Sequence, residues 1–437
     1  MRISNTLSAI RYYAITLFNH LKNGILQVMA SNVLNKMIAM FSNMVITRLM
    51  TKSDYGIWSY VCNVYSYLTL VTGLGLISGA LQFGAENKGR KEEFQYYKFC
   101  LEAGLIIDTV LIVVFLIATC FVTFKIEQAT PYIRAISAVL FLEYALNIFL
   151  NILRCENRIK EYAKALNINT IMSAAFTCTG AIFGVWGLVT ARYFSVIVSL
   201  MYITAVIKPE MQKIIHTARI AFCKTASLWR FSLTTGASAA MNGILYLLDV
   251  TMIATLIGDS EIIATYRIAT LIPNALTFIP VSVVTAILPN VIYNKDNRAW
   301  LKKRVRQTYF SLAALNFLLV GLLVLFANQV ILVINGKQYL SAVPALRVLA
   351  LGYFVSGTFR TLSVNLLAAK HYVGFNLMIS IVSIVCDVVF NWLFIQRTGM
   401  MGAAYATFLV EFVTALMGFT FLVYVVYVKK ENTENAG

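Results

Sequence analysis

Charged residues, prolines and histidines are all scarce in this chain. Charged residues make up 13% of its 437 residues, against 59% hydrophobic residues, whereas soluble domains contain roughly 25% charged residues. The composition therefore argues against a soluble enzyme or a soluble binding domain. The three histidines lie far apart and the seven cysteines form no CxxC pair, so neither a metal site nor a disulfide framework is expected. No GxxxxGK[ST] loop and no nucleophile–base–acid arrangement occur, so we predict no nucleotide site, no cofactor and no catalysis.

Long apolar runs follow one another through most of the chain. A helix of about 20 mainly apolar residues crosses a bilayer, and about twelve such runs can be counted here. They cover 25–46, 57–80, 101–124, 133–153, 165–186, 188–207, 229–257, 263–290, 308–326, 344–367, 374–395 and 401–428. The sequence predicts an all-α polytopic membrane protein with about 12 transmembrane helices. The short breaks at 186–188 and 396–401 each predict a tight helical hairpin.

The net charge of +17 follows the predicted topology. Most basic residues outside the spans fall on one side when the loops are assigned alternately, which is the positive-inside pattern. We therefore expect a multi-pass protein with both termini in the cytoplasm: an amphipathic segment at 1–24 and a tail at 429–437. Contact with anionic lipid is a secondary interpretation of the charge, and nucleic acid is not an expected partner.

The two halves of the chain resemble each other at a nearly constant offset. The matched pairs are Asn32 and Asn242, Tyr55 and Tyr266, Tyr162 and Tyr372, Asn167 and Asn376, and Gly187 and Gly402. They predict an N-lobe at 25–207, a cytoplasmic crossover at 208–230 and a C-lobe at 231–428. Since six spans bring the chain back to the same side, the two six-helix bundles would be parallel repeats around a central cavity.

Polar residues recur on single faces of the predicted spans. Asn32, Lys36 and Asn43 share a face of the first span, and Asn242 and Asp249 belong to a similar stripe in the seventh. A polar stripe in hydrocarbon is costly unless it faces a bundle interior or a wet cavity. We therefore expect a hydrated chamber. For Lys36, cavity lining and snorkelling to the membrane surface both remain open.

Embedded charges need partners, and the sequence leaves their identity open. Asp249 fits either a proton-coupled switch or a partner for a cation such as Lys36 or Arg267. Arg360, midway along the tenth span, requires a carboxylate within its lobe or an anionic substrate. Asp387 belongs to a third stripe, in the eleventh span.

Three of the six prolines lie in the eighth span. Each interrupts the helical hydrogen bonding and bends the helix. Pro273 and Pro280 are therefore candidate gating positions, with a static kink as the alternative.

Four segments carry a resemblance to a known family. Residues 46–58 (ITRLMTKSDYGIW) resemble the "TR-L-…-DYG" loop after the first helix of Wzx-type polysaccharide-repeat flippases. Leu248-Asp249, Ile257-Gly258 and 265–269 (TYRIA) are similar to that family's second-half pattern. Residues 335–339 (NGKQY) and 399–407 (GMMGAAYAT) resemble its loop before span ten and its entry to the last helix. The family's usual glycine after the tyrosine is Arg267 here, which leaves open whether that side chain points into the cavity.

The resemblance implies a transporter of the multidrug/oligosaccharidyl-lipid/polysaccharide exporter (MOP) superfamily, with a MATE-like, two-lobed fold in the bacterial inner membrane. It implies that an undecaprenyl-diphosphate-linked oligosaccharide is turned from the cytoplasmic to the periplasmic leaflet. A polysaccharide polymerase and a chain-length regulator would be its protein partners. Lys36, Arg48, Arg267 and Arg360 would be available to the diphosphate, and the amide and hydroxyl stripes to the sugars.

Two other functions compete. A multidrug or cation antiporter of the same superfamily should show a cavity dominated by carboxylates. The embedded acids and bases here are about balanced, so charge alone does not decide, and the loop motifs favour the flippase. A membrane glycosyltransferase or polymerase of the same pathway is the second. Polymerases usually carry one large periplasmic loop, and the spans listed above leave no room for one.

The flippase hypothesis predicts that Lys36→Ala and Arg360→Ala each lower surface polysaccharide, because each removes a cation available to the diphosphate. Quantifying surface polysaccharide alongside the level of the protein in membranes tests this. Wild-type export by both variants would remove these residues from the site.

Overall fold

The computed structural model describes residues 25–221, 225–293, 297–370 and 372–428. The predicted amphipathic segment 1–24 and the predicted tail 429–437 lie outside the described residues. Every regular element in the described ranges is a helix. The all-α prediction is therefore confirmed for this part of the chain.

The helices follow one another with short connections. The first ten are α1 (Ile25–Leu49), α2 (Lys52–Val71), α3 (Leu76–Glu86), α4 (Lys91–Phe121), α5 (Thr130–Ser137), α6 (Val139–Cys155), α7 (Ile159–Gly180), α8 (Gly184–Val206), α9 (Lys208–His216) and α10 (Ala226–Leu256). The remainder are α11 (Ser260–Leu276), α12 (Phe278–Tyr293), α13 (Arg298–Leu325), α14 (Ala327–Ile334), α15 (Val343–Val355), α16 (Thr361–Ala369), α17 (Val373–Thr398) and α18 (Met400–Val423).

The helices include many that could cross a bilayer. Among the described residues, nine helical stretches are long and apolar enough, and a tenth is added if the bent pair Glu127–Ser137 and Val139–Cys155 is one span. The stretch Ile159–Val206 contains both α7 and α8 and therefore matches two of the predicted spans. Length and composition thus support a multi-pass membrane protein.

The described chain forms two compact units. Unit 1 comprises the residues up to Met50 together with Val64–Ala240, and unit 2 comprises Thr51–Asn63 together with the residues from Met241 onward. Helix α2 and helix α10 therefore each contribute residues to both units. The division into lobes at 25–207 and 231–428 stays a prediction.

In unit 1, the α2 helix breaks at Thr72–Gly75 rather than continuing through the predicted span. Gly73, Leu74 and Gly75 have φ angles of 51°, 46° and 81°. The buried Asp108 carboxylate of α4 accepts hydrogen bonds from the Thr72 hydroxyl at 2.6 Å and from the Gly73 amide at 2.7 Å. The Asp108 carboxylate thus accepts hydrogen bonds at a place where the interrupted helix offers no regular acceptor.

Two glycines at and after this break, Gly75 and Gly79, form a close packing surface. A Cβ atom on Gly75 would clash with the carbonyl oxygen of Ser232, and one on Gly79 would clash with the Ser232 hydroxyl. Helix α10 therefore approaches α3 closely because both positions lack a side chain.

The turn between α6 and α7 is surrounded by charge. Arg158 donates to Glu210 at 2.8 Å and also pairs with Glu161. Burial raises the pKa of the Glu156 carboxyl above its ordinary value, the nearby Glu93 raises it further, and Lys88 opposes both. The pKa of Glu156 at this end of unit 1 thus depends on the carboxylates and cations around it.

Unit 2 is held together partly by its early segment. The hydroxyls of Ser53 and Ser260 are 3.0 Å apart, and the Asn63 amide donates to Thr251 Oγ1 at 2.8 Å. The Tyr55 and Tyr339 rings meet edge to face with centroids 6.1 Å apart. An apolar core lies among α12, α13, α16 and α18 and includes Val284, Leu301, Leu362 and Leu422.

The prolines of unit 2 surround a junction between two helices. Helix α11 ends at Leu276, three residues after the buried Pro273, and α12 begins at Phe278, with the buried Pro280 in its first turn. The predicted interruption of the eighth span is therefore present at 276–278. Whether this junction bends during transport stays a prediction.

The two hairpins predicted from sequence are built in the same way. Gly184 and Gly399 have φ angles of 70° and 60°. Gly184 is the first residue of α8 and Gly399 directly precedes α18, so the first turn lies just before the predicted 186–188. Three residues later, a Cβ on Gly187 would clash with the Gly180 carbonyl oxygen, and one on Gly402 would clash with the backbone of Phe394. The first glycine permits the turn and the second permits close helix packing.

We predict that Gly187→Ala destabilises the protein by about 1–3 kcal/mol, because the added methyl overpacks the α7–α8 crossing. Thermal unfolding of purified protein measures the change. Gly321→Ala on α13 is the matched control, because a Cβ there meets no atom within 4 Å. Equal melting temperatures for the two variants would contradict the close approach.

Candidate functional site

A polar cavity of about 290 Å³ lies within unit 1, between α1, α7 and α8. Its lining residues are Ala39, Ser42, Asn43, Ile46, Asn169, Thr170, Ser173, Ala174, Thr177 and Arg192. Most of them carry a hydroxyl, an amide or a guanidinium group. In a membrane-spanning bundle, such a set marks a place where polar groups avoid contact with lipid.

The cavity wall combines fixed and available hydrogen-bonding groups. Asn169 Oδ1 accepts from Ser199 at 2.9 Å, which orients the amide and leaves its Nδ2 group as a donor. Thr170 donates to the Leu166 carbonyl at 3.1 Å, so its oxygen can still accept. Within the described part of the chain, Ser173 Oγ has no hydrogen-bond partner. The wall can therefore both donate to and accept from a bound molecule.

Arg192 is the charged residue in this lining, and it is paired. Its guanidinium forms an ion pair with Glu143 of α6, whose side chain is only 16% exposed. The pairing neutralises the charge and fixes the guanidinium at the cavity edge. The cavity is therefore polar without a net charge from this pair.

The first-span candidates divide between the cavity and the surface of α1. Asn43 lines the cavity, whereas Asn32 and Lys36 are exposed one turn apart on the same helix, outside the lining. Arg48 is exposed near the end of α1. The structure thus places one of these four candidates in the unit 1 cavity.

A second polar cluster lies within unit 2 around Asp249. Tyr266 donates to Asp249 Oδ2 at 2.5 Å, and Thr407 donates to the same oxygen at 2.9 Å. The fully buried Asn391 donates from one amide nitrogen to Asp249 Oδ1 at 3.0 Å and to Asp387 Oδ1 at 3.1 Å. Four helices, α10, α11, α17 and α18, contribute to this network.

The carboxylates of this cluster are the two predicted candidates Asp249 and Asp387. They share one amide, so a change in the protonation of either alters the hydrogen bonds of the other. Among the described residues, Asp249 has hydroxyl and amide partners rather than a cation. This arrangement is chemically suited to a proton-linked switch, one of the two roles considered for Asp249.

Arg360 has a carboxylate partner inside unit 2. Its Nη1 donates to Glu411 Oε2 at 2.9 Å, and the two side chains are 23% and 24% exposed. Arg360 ends a π-helical turn at Ser356–Arg360, a distortion that is often found at functional positions. The sequence left two partners open for Arg360, a carboxylate of the protein and an anionic substrate. The structure shows pairing with a carboxylate.

The two other unit 2 candidates lie outside this cluster. Asn242 is exposed on α10, and Arg267 is half-buried on α11, next to the buried Tyr266. Within the described residues, Arg267 forms no ion pair. His, Cys, Asp and Glu side chains form no group of three suited to a metal ion in the searched, described residues.

The α7 face of the unit 1 cavity was missed in the sequence analysis. Asn169, Thr170, Ser173 and Thr177 recur at the spacing of one helix face, the same signal that identified the other stripes. Tyr266 and Thr407 carried no such signal. Their partner Asp249 lies on another helix, so only the tertiary structure brings them together.

Replacing Asn391 tests the unit 2 network. We predict that Asn391→Leu lowers the free energy of unfolding by about 1–3 kcal/mol, because it leaves two embedded carboxylates without their shared donor. Thermal unfolding of purified protein gives the change. Asn147→Leu is the control, since the exposed Asn147 donates only to Glu143 of its own helix. A similar loss in both variants would contradict a special role for Asn391.

Comparisons with known proteins give both a family and a fold. The model of a family described as "Polysaccharide biosynthesis protein" matches residues 45–344. No curated protein matches the sequence. Solved structures that share the fold include an inward-facing multidrug resistance MATE family transporter of the MOP superfamily. It has a TM-score of 0.71 and 17% identity, over 90% of this chain and 94% of that one.

Two further structures extend the comparison. The lipid II flippase MurJ in an inward closed conformation has a TM-score of 0.71 and 15% identity, over 92% of this chain and 87% of that one. A MOP superfamily transporter from Pyrococcus furiosus Vc1 (DSM3638) has a TM-score of 0.62 and 17% identity, over 92% of this chain and 95% of that one. The predicted MATE- and MOP-like membrane fold is thereby confirmed. Because the family model covers more than half of the sequence, the chain belongs to the polysaccharide biosynthesis protein family.

Proposed function

We propose that this protein is a flippase for a lipid-linked oligosaccharide. The observation that carries the proposal is the combination of a polysaccharide biosynthesis family with an all-helical fold shared with membrane transporters. A family member of this fold can contribute to polysaccharide synthesis by moving a membrane-bound intermediate. The finer proposal is a Wzx-type protein that turns an undecaprenyl-diphosphate-linked repeat unit, such as an O-antigen unit, from the cytoplasmic to the periplasmic leaflet by alternating access.

The chemistry of the candidate residues is compatible with such a substrate. Sugar hydroxyls both donate and accept hydrogen bonds, and the amides and hydroxyls of the unit 1 cavity offer partners of both kinds. A diphosphate is best bound by cations. Lys36, Arg48, Arg267 and Arg360 are the proposed contributors, and of these Arg360 already has a carboxylate partner.

The remaining site residues stay part of the proposal. Asn32, Asn43 and Asn242 would contact sugars, Asp249 and Asp387 would respond to protonation, and Pro273 and Pro280 would allow a helix to bend. The setting would be the bacterial inner membrane with both termini in the cytoplasm. The partners would be the lipid-linked glycan, the surrounding bilayer, and a polymerase and chain-length regulator. We propose no enzymatic activity.

A multidrug or cation antiporter is the alternative, and the unit 1 cavity favours the flippase. An exporter of organic cations is expected to present carboxylates to its substrate. The charged residue lining this cavity is instead Arg192, and its partner Glu143 is already engaged. Hydroxyl and amide groups make up the rest of the polar lining.

Deletion of the gene tests the proposal. We predict that the lipid-linked oligosaccharide accumulates on the cytoplasmic leaflet and surface polysaccharide falls, because synthesis continues while translocation stops. Chemical analysis of the lipid-linked pool, with leaflet assignment by an impermeant sugar-modifying reagent, gives the measurement, and wild-type complementation is the control. An unchanged pool with normal polysaccharide, together with increased sensitivity to cationic drugs, would instead support the antiporter.

A further inference from the structure

We propose that the unit 1 cavity between α1, α7 and α8 is a subsite for one neutral, hydroxyl-rich sugar ring. This inference deepens the proposed function and rests on it, since it names which part of the glycan the cavity takes. The α7 residues that form half of its wall were not among the site residues predicted from sequence.

The first line of support is hydrogen-bonding capacity. Ser173 Oγ and Asn169 Nδ2 supply donors, while Thr170 and Thr177 donate to carbonyls of their own helix and keep oxygen lone pairs for a ligand. A sugar ring presents several hydroxyls, each of which needs a donor, an acceptor or both. Donors and acceptors mixed along one wall match that demand better than they match a phosphate, which accepts only.

The second line of support is charge. Arg192 would attract an anion if it were alone, but Glu143 pairs with it, and the other polar lining residues are neutral. A diphosphate or an acidic sugar entering this cavity would lose its hydration without gaining an unpaired cation. A neutral ring suffers no such penalty.

The third line of support is size and shape. A cavity of about 290 Å³ is at the small end of ligand sites, which typically measure about 300–1,000 Å³. It can hold one ring but not a whole oligosaccharide. Ala39, Ile46 and Ala174 provide a small apolar patch against which the C–H face of a ring can pack.

Protection of an introduced thiol tests the subsite directly. In the full chain with its seven native cysteines replaced by serine or alanine, Ser173→Cys places a thiol in the lining. Thr179→Cys is the matched control on the same helix, at an exposed position outside the lining. The purified variants are labelled with N-ethylmaleimide in the presence of glucose, galactose, N-acetylglucosamine, glucuronate or inorganic diphosphate.

We expect at least one neutral sugar to slow labelling of the Ser173→Cys variant, by about tenfold at about ten times its Kd. Labelling of the Thr179→Cys variant should not change, and neither glucuronate nor diphosphate should protect. Equal protection of both thiols, equal protection by the anions, or no protection by any sugar overturns the proposal.

A second measurement covers the case in which the cysteine-replaced chain does not fold. The same neutral sugars should raise the melting temperature of the wild-type protein but not that of Ser173→Leu, whose side chain would fill the cavity. Equal shifts, or none, in the two proteins overturn the subsite. Neither readout depends on lipid translocation. A normal lipid-linked pool after gene deletion therefore defeats the flippase proposal separately from the sugar subsite.

Discussion

The rest of this structure depends on one constraint, which is that polar groups within lipid must find their partners inside the protein. The break between α2 and α3 illustrates it for the backbone. Turning three residues into the left-handed region removes the regular helical hydrogen bonds, and Asp108 of α4 supplies an acceptor for the Thr72 hydroxyl and the Gly73 amide. The break in the helix therefore depends on the buried Asp108 carboxylate, which accepts hydrogen bonds from two groups at the break.

Side chains follow the same constraint in both units. Arg192 pairs with Glu143 in unit 1, and Arg360 pairs with Glu411 in unit 2. Asp249 is held by three uncharged donors instead. These embedded charges therefore belong to local networks, and the remaining polar groups that line the unit 1 cavity are hydroxyls and amides. Such a lining suits the hydroxyl-rich substrate of the proposed function.

The features that depend on local sequence could be predicted, and those that depend on contacts between distant segments could not. Apolar runs identified the helical membrane fold, and the short breaks between those runs identified both hairpins, because length and hydropathy are properties of a single segment. The requirement of Arg360 for a carboxylate or an anion was also clear from its position. Its pairing with Glu411, on another helix, was not, because helix packing decides which charges meet. The break at Thr72–Gly75 was missed for a similar reason, since the carboxylate that stabilises it lies 36 residues away from Thr72.

The interleaved composition of the two units has a consequence for biosynthesis. Thr51–Asn63 belongs to unit 2, yet Ser260, the hydroxyl partner of Ser53, is translated 207 residues later. The ribosome therefore releases part of unit 2 long before that unit can close, and this early segment must wait in the membrane without its final neighbours. A gene divided at the crossover would encode two fragments, neither of which contains a whole unit: the first would lack the α10 residues up to Ala240, and the second would lack Thr51–Asn63.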